Sequence, residues 1–171
     1  YHITSGDGSN NSSTKNDWGF WGNSSREQEE TTSAKGIKAD GTITIKSGSF
    51  NIDSSDDSVH SNNNIEIQNG TFDISSGDDG IHADNILTIE DGEINIKKSY
   101  EGLEASTIYL NGGKTTIKSS DDGINAGGGN DSSSMSRPGA NQFSNNNYKI
   151  IITGGYYMVD SDGDGIDSNG I

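Results

Sequence analysis

Ser76-Gly77-Asp78-Asp79-Gly80-Ile81-His82-Ala83 holds the pattern that decides the fold: an acidic pair, a glycine, then an aliphatic, a variable and a small residue. Its core tetrad (Gly, aliphatic, any, small) recurs as Gly36-Ile37-Lys38-Ala39, Ser58-Val59-His60-Ser61, Gly102-Leu103-Glu104-Ala105, Gly123-Ile124-Asn125-Ala126 and Gly165-Ile166-Asp167-Ser168. Successive tetrads start 22, 22, 22, 21 and 42 residues apart, and the last interval is two periods that include an insertion. After each complete tetrad comes an alternating apolar pair: Ile43/Ile45, Ile65/Ile67, Leu87/Ile89, Ile108/Leu110 and Ile150/Ile152. A glycine follows at Gly48, Gly70, Gly92, Gly113 and Gly155, and then a second pair: Phe50/Ile52, Phe72/Ile74, Ile94/Ile96, Thr115/Ile117 and Tyr157/Val159.

Each repeat therefore holds three period-two segments separated by turn residues, and no segment follows the 3.6-residue period of a helix. One such unit cannot bury its apolar face alone, whereas stacked units place Ile upon Ile in continuous columns. The expectation is an all-β solenoid, a parallel β-helix with three strands per coil of about 22 residues. An up-and-down barrel or sandwich would alternate around hairpins and would not need triplets of strands.

The register answers an objection from composition. Only 27% of the 171 residues are hydrophobic, and 26 Asp and Glu against 11 Lys and Arg leave a net charge of −15. Without regular spacing, such a chain would bury too little apolar surface to offset the entropy of ordering. The charge excludes a binder of nucleic acid or anionic membrane that works through its own basic surface. There is no apolar run of about 18 residues for a membrane-spanning helix. With no Cys, disulfides and thiolate chemistry are excluded as well.

Tyr1-His2-Ile3-Thr4-Ser5-Gly6-Asp7 aligns with Phe72-Asp73-Ile74-Ser75-Ser76-Gly77-Asp78, so residues 1–171 are expected to form one β-helix domain open at both ends, a piece of a longer solenoid. Two Ser/Asn/Gly-rich insertions, 8–34 and 127–147, interrupt it on either side of the tetrad strand. Insertions in solenoids commonly border the binding face. The tetrad face, with its outward residues Lys38, His60, His82, Glu104, Asn125 and Asp167, is therefore the expected binding face; the alternative is that the loops are decoration or cover an end. Trp18, Phe20 and Trp21 in the first insertion either stack on a ligand or plug the apolar end of the coil.

Before the tetrads stand Asp56-Asp57, Asp78-Asp79, Tyr100-Glu101, Asp121-Asp122 and Gly163-Asp164. Stacking brings equivalent positions to about 4.8 Å, where like charges repel by roughly 3–4 kcal/mol at an effective dielectric of 20. The nearby lysines, Lys35, Lys38, Lys97, Lys98 and Lys118, are few. Ca²⁺ suits the column, because it accepts six to eight oxygens in flexible geometry. The expected ligands are Asp56, Asp57, Asp78, Asp79, Glu101, Glu104, Asp121, Asp122 and Asp164. The best site is expected where Asp78, Asp79, Glu101 and Glu104 converge, and a second between Glu104, Asp121 and Asp122. The competing reading is a simple turn, since Asp hydrogen-bonds its own backbone and tolerates the left-handed region; recurrence in register favours metal. His60 and His82 form a consecutive pair that lacks a third converging ligand. Asp160-Ser161-Asp162-Gly163-Asp164-Gly165 imitates half an EF-hand loop, but Ile171 stands at its twelfth position and no helix flanks it.

These residues, from Ser33-Ala34-Lys35-Gly36-Ile37-Lys38-Ala39 through Ser120-Asp121-Asp122-Gly123-Ile124-Asn125-Ala126, resemble a bacterial extracellular carbohydrate-binding domain family. That family has a pectate-lyase-like right-handed parallel β-helix, and the likeness is to its clostridial cellulose- and polygalacturonate-binding type. The resemblance spans nearly the whole chain and is weakest in the insertions. It implies an extracellular or cell-surface module with Ca²⁺ on the acidic turns, recognising plant cell-wall polysaccharide, both pectin-type galacturonan and cellulose, without established catalysis.

The Asp pairs are also similar to those of calcium-dependent pectate lyases, which add a Lys or Arg base. Here Arg26 and Arg137 lie in the insertions, and no spacing singles out Lys35 or Lys38. The leading expectation is a non-catalytic calcium-bearing binding module. A calcium-dependent lyase and a structural or adhesin repeat with calcium for folding alone are the alternatives.

Overall fold

The structure, a computed structural model, describes residues 1–10, 34–127 and 148–168. Among them all regular structure is β. The strands follow the repeat: β1 (His2–Ser5); β2 (Ile37–Ala39), β3 (Ile43–Ile45) and β4 (Ser49–Ser54); β5 (Val59–Ser61), β6 (Asn64–Ile67) and β7 (Thr71–Ser76). They continue as β8 (Ile81–Ile89), β9 (Glu93–Lys98), β10 (Leu103–Leu110), β11 (Lys114–Ser119), β12 (Ile124–Ala126), β13 (Lys149–Ile152), β14 (Tyr156–Ser161) and β15 (Ile166–Ser168). In β8 and β10 the tetrad and the following pair merge into one longer strand.

Two sheets result, and every strand pair in them is parallel. The third strand of each repeat enters a six-stranded sheet ordered β1-β4-β7-β9-β11-β14. The tetrad strands form the path β15-β12-β10-β8-β5-β2 of a nine-stranded sheet, with β13 beside β10 and β3 joined through β6 to β8. Register follows the repeat residue for residue: Ile52, Ile74, Ile96, Ile117 and Val159 pair in succession. Val59, Ile81, Leu103 and Ile124 do the same in the other sheet. At the start of the chain Ile3 pairs with Ile52, as its alignment with Ile74 requires.

Alternation decides what is buried. In β7 Phe72, Ile74 and Ser76 are buried while Thr71 is exposed and Asp73 and Ser75 are half-buried. The buried rows of both sheets join one apolar cluster that runs from Ile45 to Ile124. Tyr1, Phe50 and Phe72 stack at ring-centroid spacings of 4.8 Å, the strand spacing itself. Gly70 and Gly92, at φ +138° and +120°, turn the chain into the third strand in a conformation L side chains rarely adopt. A Cβ on Gly92 would also stand 2.8 Å from the Gly70 carbonyl oxygen. No helix among the described residues is long and apolar enough to cross a membrane.

Candidate functional site

The acidic turns sit between the end of each third strand and the next tetrad strand. Serines brace them: Ser54 Oγ donates to the Asp56 carbonyl at 2.7 Å, Ser119 Oγ to the Asp121 carbonyl at 3.2 Å, and Ser161 Oγ to the Gly163 carbonyl at 3.5 Å. Backbone bonds carry the stacking through the turns, with Ser58 N–H donating to Asp79 O at 3.0 Å and Gly80 N–H to Glu101 O at 2.9 Å. The turn reading and the column reading therefore both describe these residues, since each turn is a rung.

The two acids of a pair part company. Asp56, Asp78, Asp121 and Asp122 are half-buried, as is Glu101, and Asp164 is exposed, whereas Asp57 and Asp79 are buried. The second member binds the next repeat: Asp57 Oδ1 accepts from Asp79 N–H at 3.0 Å, Asp79 Oδ1 from Glu101 N–H at 3.1 Å, and half-buried Asp122 Oδ1 from Asp164 N–H at 2.7 Å. In Asp57 and Asp79 the other oxygen turns to the tetrad. Asp57 Oδ2 lies 2.7 Å from His60 Nδ1, and Asp79 Oδ2 lies 3.1 Å from His82 Nδ1.

This corrects the expected outward row. Lys38, His60, His82, Glu104, Asn125 and Asp167 do pair in succession across the tetrad strands. Lys38 is exposed and Asp167 half-buried, but His60, His82, Glu104 and Asn125 are buried. For His60 and His82 the acid three residues earlier turns onto the ring, Glu104 packs on His82, and Asn125 is held by Glu101. His60 and His82 stand 4.9 Å apart by ring centroids. Trp18 and Trp21 lie outside the described residues.

The expected metal groupings are also redrawn. Asp79 and Glu104 do converge, but around His82, whose Nδ1 stands 2.9 Å from Glu104 Oε2. Glu101 instead accepts from Asn125 Nδ2 at 3.1 Å to each oxygen. Asp56, Asp57 and Asp78 form another group, and Asp57, His60 and His82 a third. The third ligand that the His pair lacks in the sequence is thus present in space. The Asp-x-x-His spacing of Asp57/His60 and Asp79/His82 was the available signal.

Charge changes sign along the stack. Lys35 occupies the ladder position that Asp57, Asp79, Glu101, Asp122 and Asp164 fill in later repeats. Its side chain, 5% exposed, reaches Asp56 Oδ1 at 3.0 Å and Asp57 Oδ2 at 2.5 Å. Burial opposes the Lys35 ammonium, but Asp57 and Asp56 outweigh it and hold the pKa above the ordinary lysine range. Burial likewise pushes Asp57 up, but the His60 hydrogen bond and the Lys35 charge bring it down to about 2. One repeat on, burial together with Asp57, Glu104 and Asp78 pushes the Asp79 carboxyl well up. His82, disfavoured as a cation by burial, is raised to about 11 by Asp79 and Glu104. Glu101 is pushed up to about 7 by burial, then by Glu104, with Asp122 and Asp121 adding to it. Positive charge offsets negative at the first rungs and falls short from the third onward.

Parallel sheets stacked rung upon rung, with an acidic turn at each rung, define a repetitive all-β domain whose charged ridge is its chemical feature. The chain belongs to the family described as carbohydrate-binding domain-containing protein, whose model matches residues 1–80 and 78–123, from the first strand to the glycine of the fifth tetrad. No curated protein and no solved structure matches it.

Proposed function

We propose that this domain is a non-catalytic, extracellular module that coils as a right-handed parallel β-helix and binds acidic plant cell-wall polysaccharide of the pectin type, through Ca²⁺ held on its acidic ridge. Family membership carries the carbohydrate-binding part of this reading. The coil is supported by the pairing of each strand with its counterpart in the next repeat in both sheets, 22 or 21 residues on wherever no insertion intervenes.

A chain of net charge −15 repels polygalacturonate, so a cation has to lie between the two sets of carboxylates. The donor set suits Ca²⁺, being oxygen throughout at Asp78, Glu101, Asp121 and Asp122. Two observations fit a missing cation here: the Glu101 pKa near 7 and the Asn125 amide oxygen, which is buried without a hydrogen-bond partner. These half-buried acids would hold the ion. Bound there, Ca²⁺ would supply charge neutralisation and free coordination positions for uronate oxygens. Cellulose, a neutral polymer, would be held through aromatic and hydroxyl contacts instead.

A lyase needs an unprotonated base near the acids, and Lys35, the nearest lysine, is locked as an ammonium between Asp56 and Asp57. That geometry favours binding over elimination.

Sedimentation with insoluble polygalacturonate and with cellulose, each with Ca²⁺ and with EGTA, tests the proposal. Polygalacturonate binding should require Ca²⁺ and fall at least tenfold in Asp121→Asn/Asp122→Asn. Pectin binding indifferent to chelator overturns the calcium bridge, and release of unsaturated product overturns the non-catalytic reading.

A further inference from the structure

We infer that Asp79, His82 and Glu104 form a second kind of metal site, a buried one for a borderline transition dication of the Zn²⁺ class, distinct from the oxygen-only ridge. All three residues are more than nine-tenths buried. His82 Nδ1 lies 3.1 Å from Asp79 Oδ2 and 2.9 Å from Glu104 Oε2. Donor atoms bound at about 2.0–2.2 Å to one ion stand roughly 3.3–3.6 Å apart in tetrahedral and roughly 2.8–3.1 Å apart in octahedral geometry. The two nitrogen–oxygen distances match the octahedral spacing, and all three donor atoms lie within 4.8 Å of one another.

The hydrogen-bond pattern also points to a cation in place of a proton. Nδ1 carries at most one hydrogen, and two carboxylate oxygens compete for it. One rung earlier the same arrangement is relieved, because Asp57 receives Lys35 as well as His60. At Asp79 the corresponding neighbour, one rung earlier, is Asp57, an acid, and one rung beyond Glu104 the buried Asn125 amide oxygen has no partner.

The surroundings are those of a supported metal centre. A ligating imidazole generally presents its other nitrogen to a carboxylate or carbonyl, which fixes the tautomer and the ring. His82 Nε2 lies 3.4 Å from Asp84 Oδ1, and the Asp84 side chain is 49% exposed, opening that side to solvent. Asp79 is oriented by the Glu101 N–H on its other oxygen. An imidazole nitrogen with two carboxylates suits Zn²⁺, Co²⁺ or Mn²⁺, whereas Ca²⁺ takes oxygen.

The test is titration of the chelator-stripped, full-length chain with Co²⁺ in excess Ca²⁺, followed by calorimetry and visible absorption. The expected result is one Co²⁺ per chain with ligand-field bands, displaced by Zn²⁺ and unaffected by Ca²⁺. His82→Gln should abolish the bands, and Asp84→Asn should weaken binding about 10- to 100-fold. No saturable Co²⁺ binding, or binding of unchanged affinity in a folded His82→Gln, overturns the site. If His82→Gln does not fold, Asp84→Asn decides: unchanged affinity overturns it. The outcome is independent of the polysaccharide reading, because Ca²⁺ is present throughout and no sugar is used.

Discussion

Lys35 and Asp57 hold the same position in consecutive repeats, and the Lys35 ammonium lies 2.5 Å from Asp57 Oδ2 with both side chains buried. The ladder of acids therefore begins with a base, and the first pair is neutral before any ion binds. Removing one partner of a buried pair leaves an uncompensated charge, at a cost of about 3–5 kcal/mol. His60 stays on Asp57 at 2.7 Å, so Lys35→Met should fall near the lower end of that range. Urea unfolding of Lys35→Met beside exposed Lys38→Met checks it; the second change is expected within about 0.5 kcal/mol of wild type. Equal midpoints for the two variants would show that Lys35 does not neutralise the column.

The pH dependence of the metal-free protein follows from shifts of opposite sign. Glu101 is raised to about 7 when folded, against about 4.3 unfolded. The folded state therefore holds the extra proton, and stability falls as pH rises between those values. His82, raised to about 11 from about 6.5 unfolded, contributes stability that is complete below pH 6.5 and lost as pH climbs towards 11. Asp57, lowered to about 2, acts the other way, and its contribution disappears as pH falls from about 4. Metal-free protein should thus be most stable near pH 4–5, with thermal melts showing a steady decline above it. Glu101→Gln should flatten the decline between about pH 4.3 and 7, and Ca²⁺ should raise the melting temperature more at pH 8 than at pH 5.

Most of the architecture was legible because the apolar residues obey two rules at once, alternation within a strand and recurrence every 22 residues. Ile74 shows both: it alternates with Phe72 and pairs with Ile52 and Ile96 one period away on either side. The acidic rungs were legible for the same reason. What alternation could not show is that Asp79 covers His82. Residues three apart point to opposite faces of a strand, so their contact depends on Asp79 lying in the turn, where the backbone reverses its side-chain direction. Lys35 was equally hard to place, because a single Lys breaks an otherwise acidic position and its partner Asp57 is 22 residues away. The insertion carrying Trp18 and Trp21 follows neither rule.

Close stacking at the tetrad glycines Gly36, Gly80, Gly102 and Gly123 makes them intolerant of even one methyl group, whereas Gly165 has nothing within 4 Å of its Cβ position. A Cβ on Gly102 would stand 2.3 Å from the Gly123 carbonyl oxygen and 2.4 Å from Ile117 Cγ2. The backbone oxygen belongs to the next rung and cannot yield without breaking the Leu103 N–H to Gly123 O bond of 3.0 Å. Gly102→Ala should therefore destabilise by about 1–3 kcal/mol or more. Gly41, with nothing within 4 Å of its Cβ position, should accept Ala within about 0.5 kcal/mol. Denaturant midpoints of the two variants provide the comparison, and a neutral Gly102→Ala would contradict the rung spacing.

Tyr100 stands where Asp56, Asp78 and Asp121 stand in other rungs, and it gives the ridge an aromatic surface. Its N–H donates to Asp78 O at 2.7 Å and its carbonyl accepts from Asp121 N–H at 2.9 Å, so it is flanked by acids on both sides. The side chain is 48% exposed, and its hydroxyl donates to Asp121, the main reason its pKa rises to about 12. With Ca²⁺ held on these carboxylates as proposed, the phenol ring beside them would lie against the apolar face of a uronate ring while the cation engaged its carboxylate. Stacking of this kind contributes about 0.5–1.5 kcal/mol beyond area burial, so Tyr100→Ala should weaken polygalacturonate binding by up to about tenfold. Tyr100→Phe keeps the ring and should bind within about twofold of wild type if stacking rather than the Asp121 hydrogen bond carries the effect. Affinity electrophoresis in gels containing polygalacturonate and Ca²⁺ measures both, and wild-type retardation of Tyr100→Ala would remove Tyr100 from the binding surface.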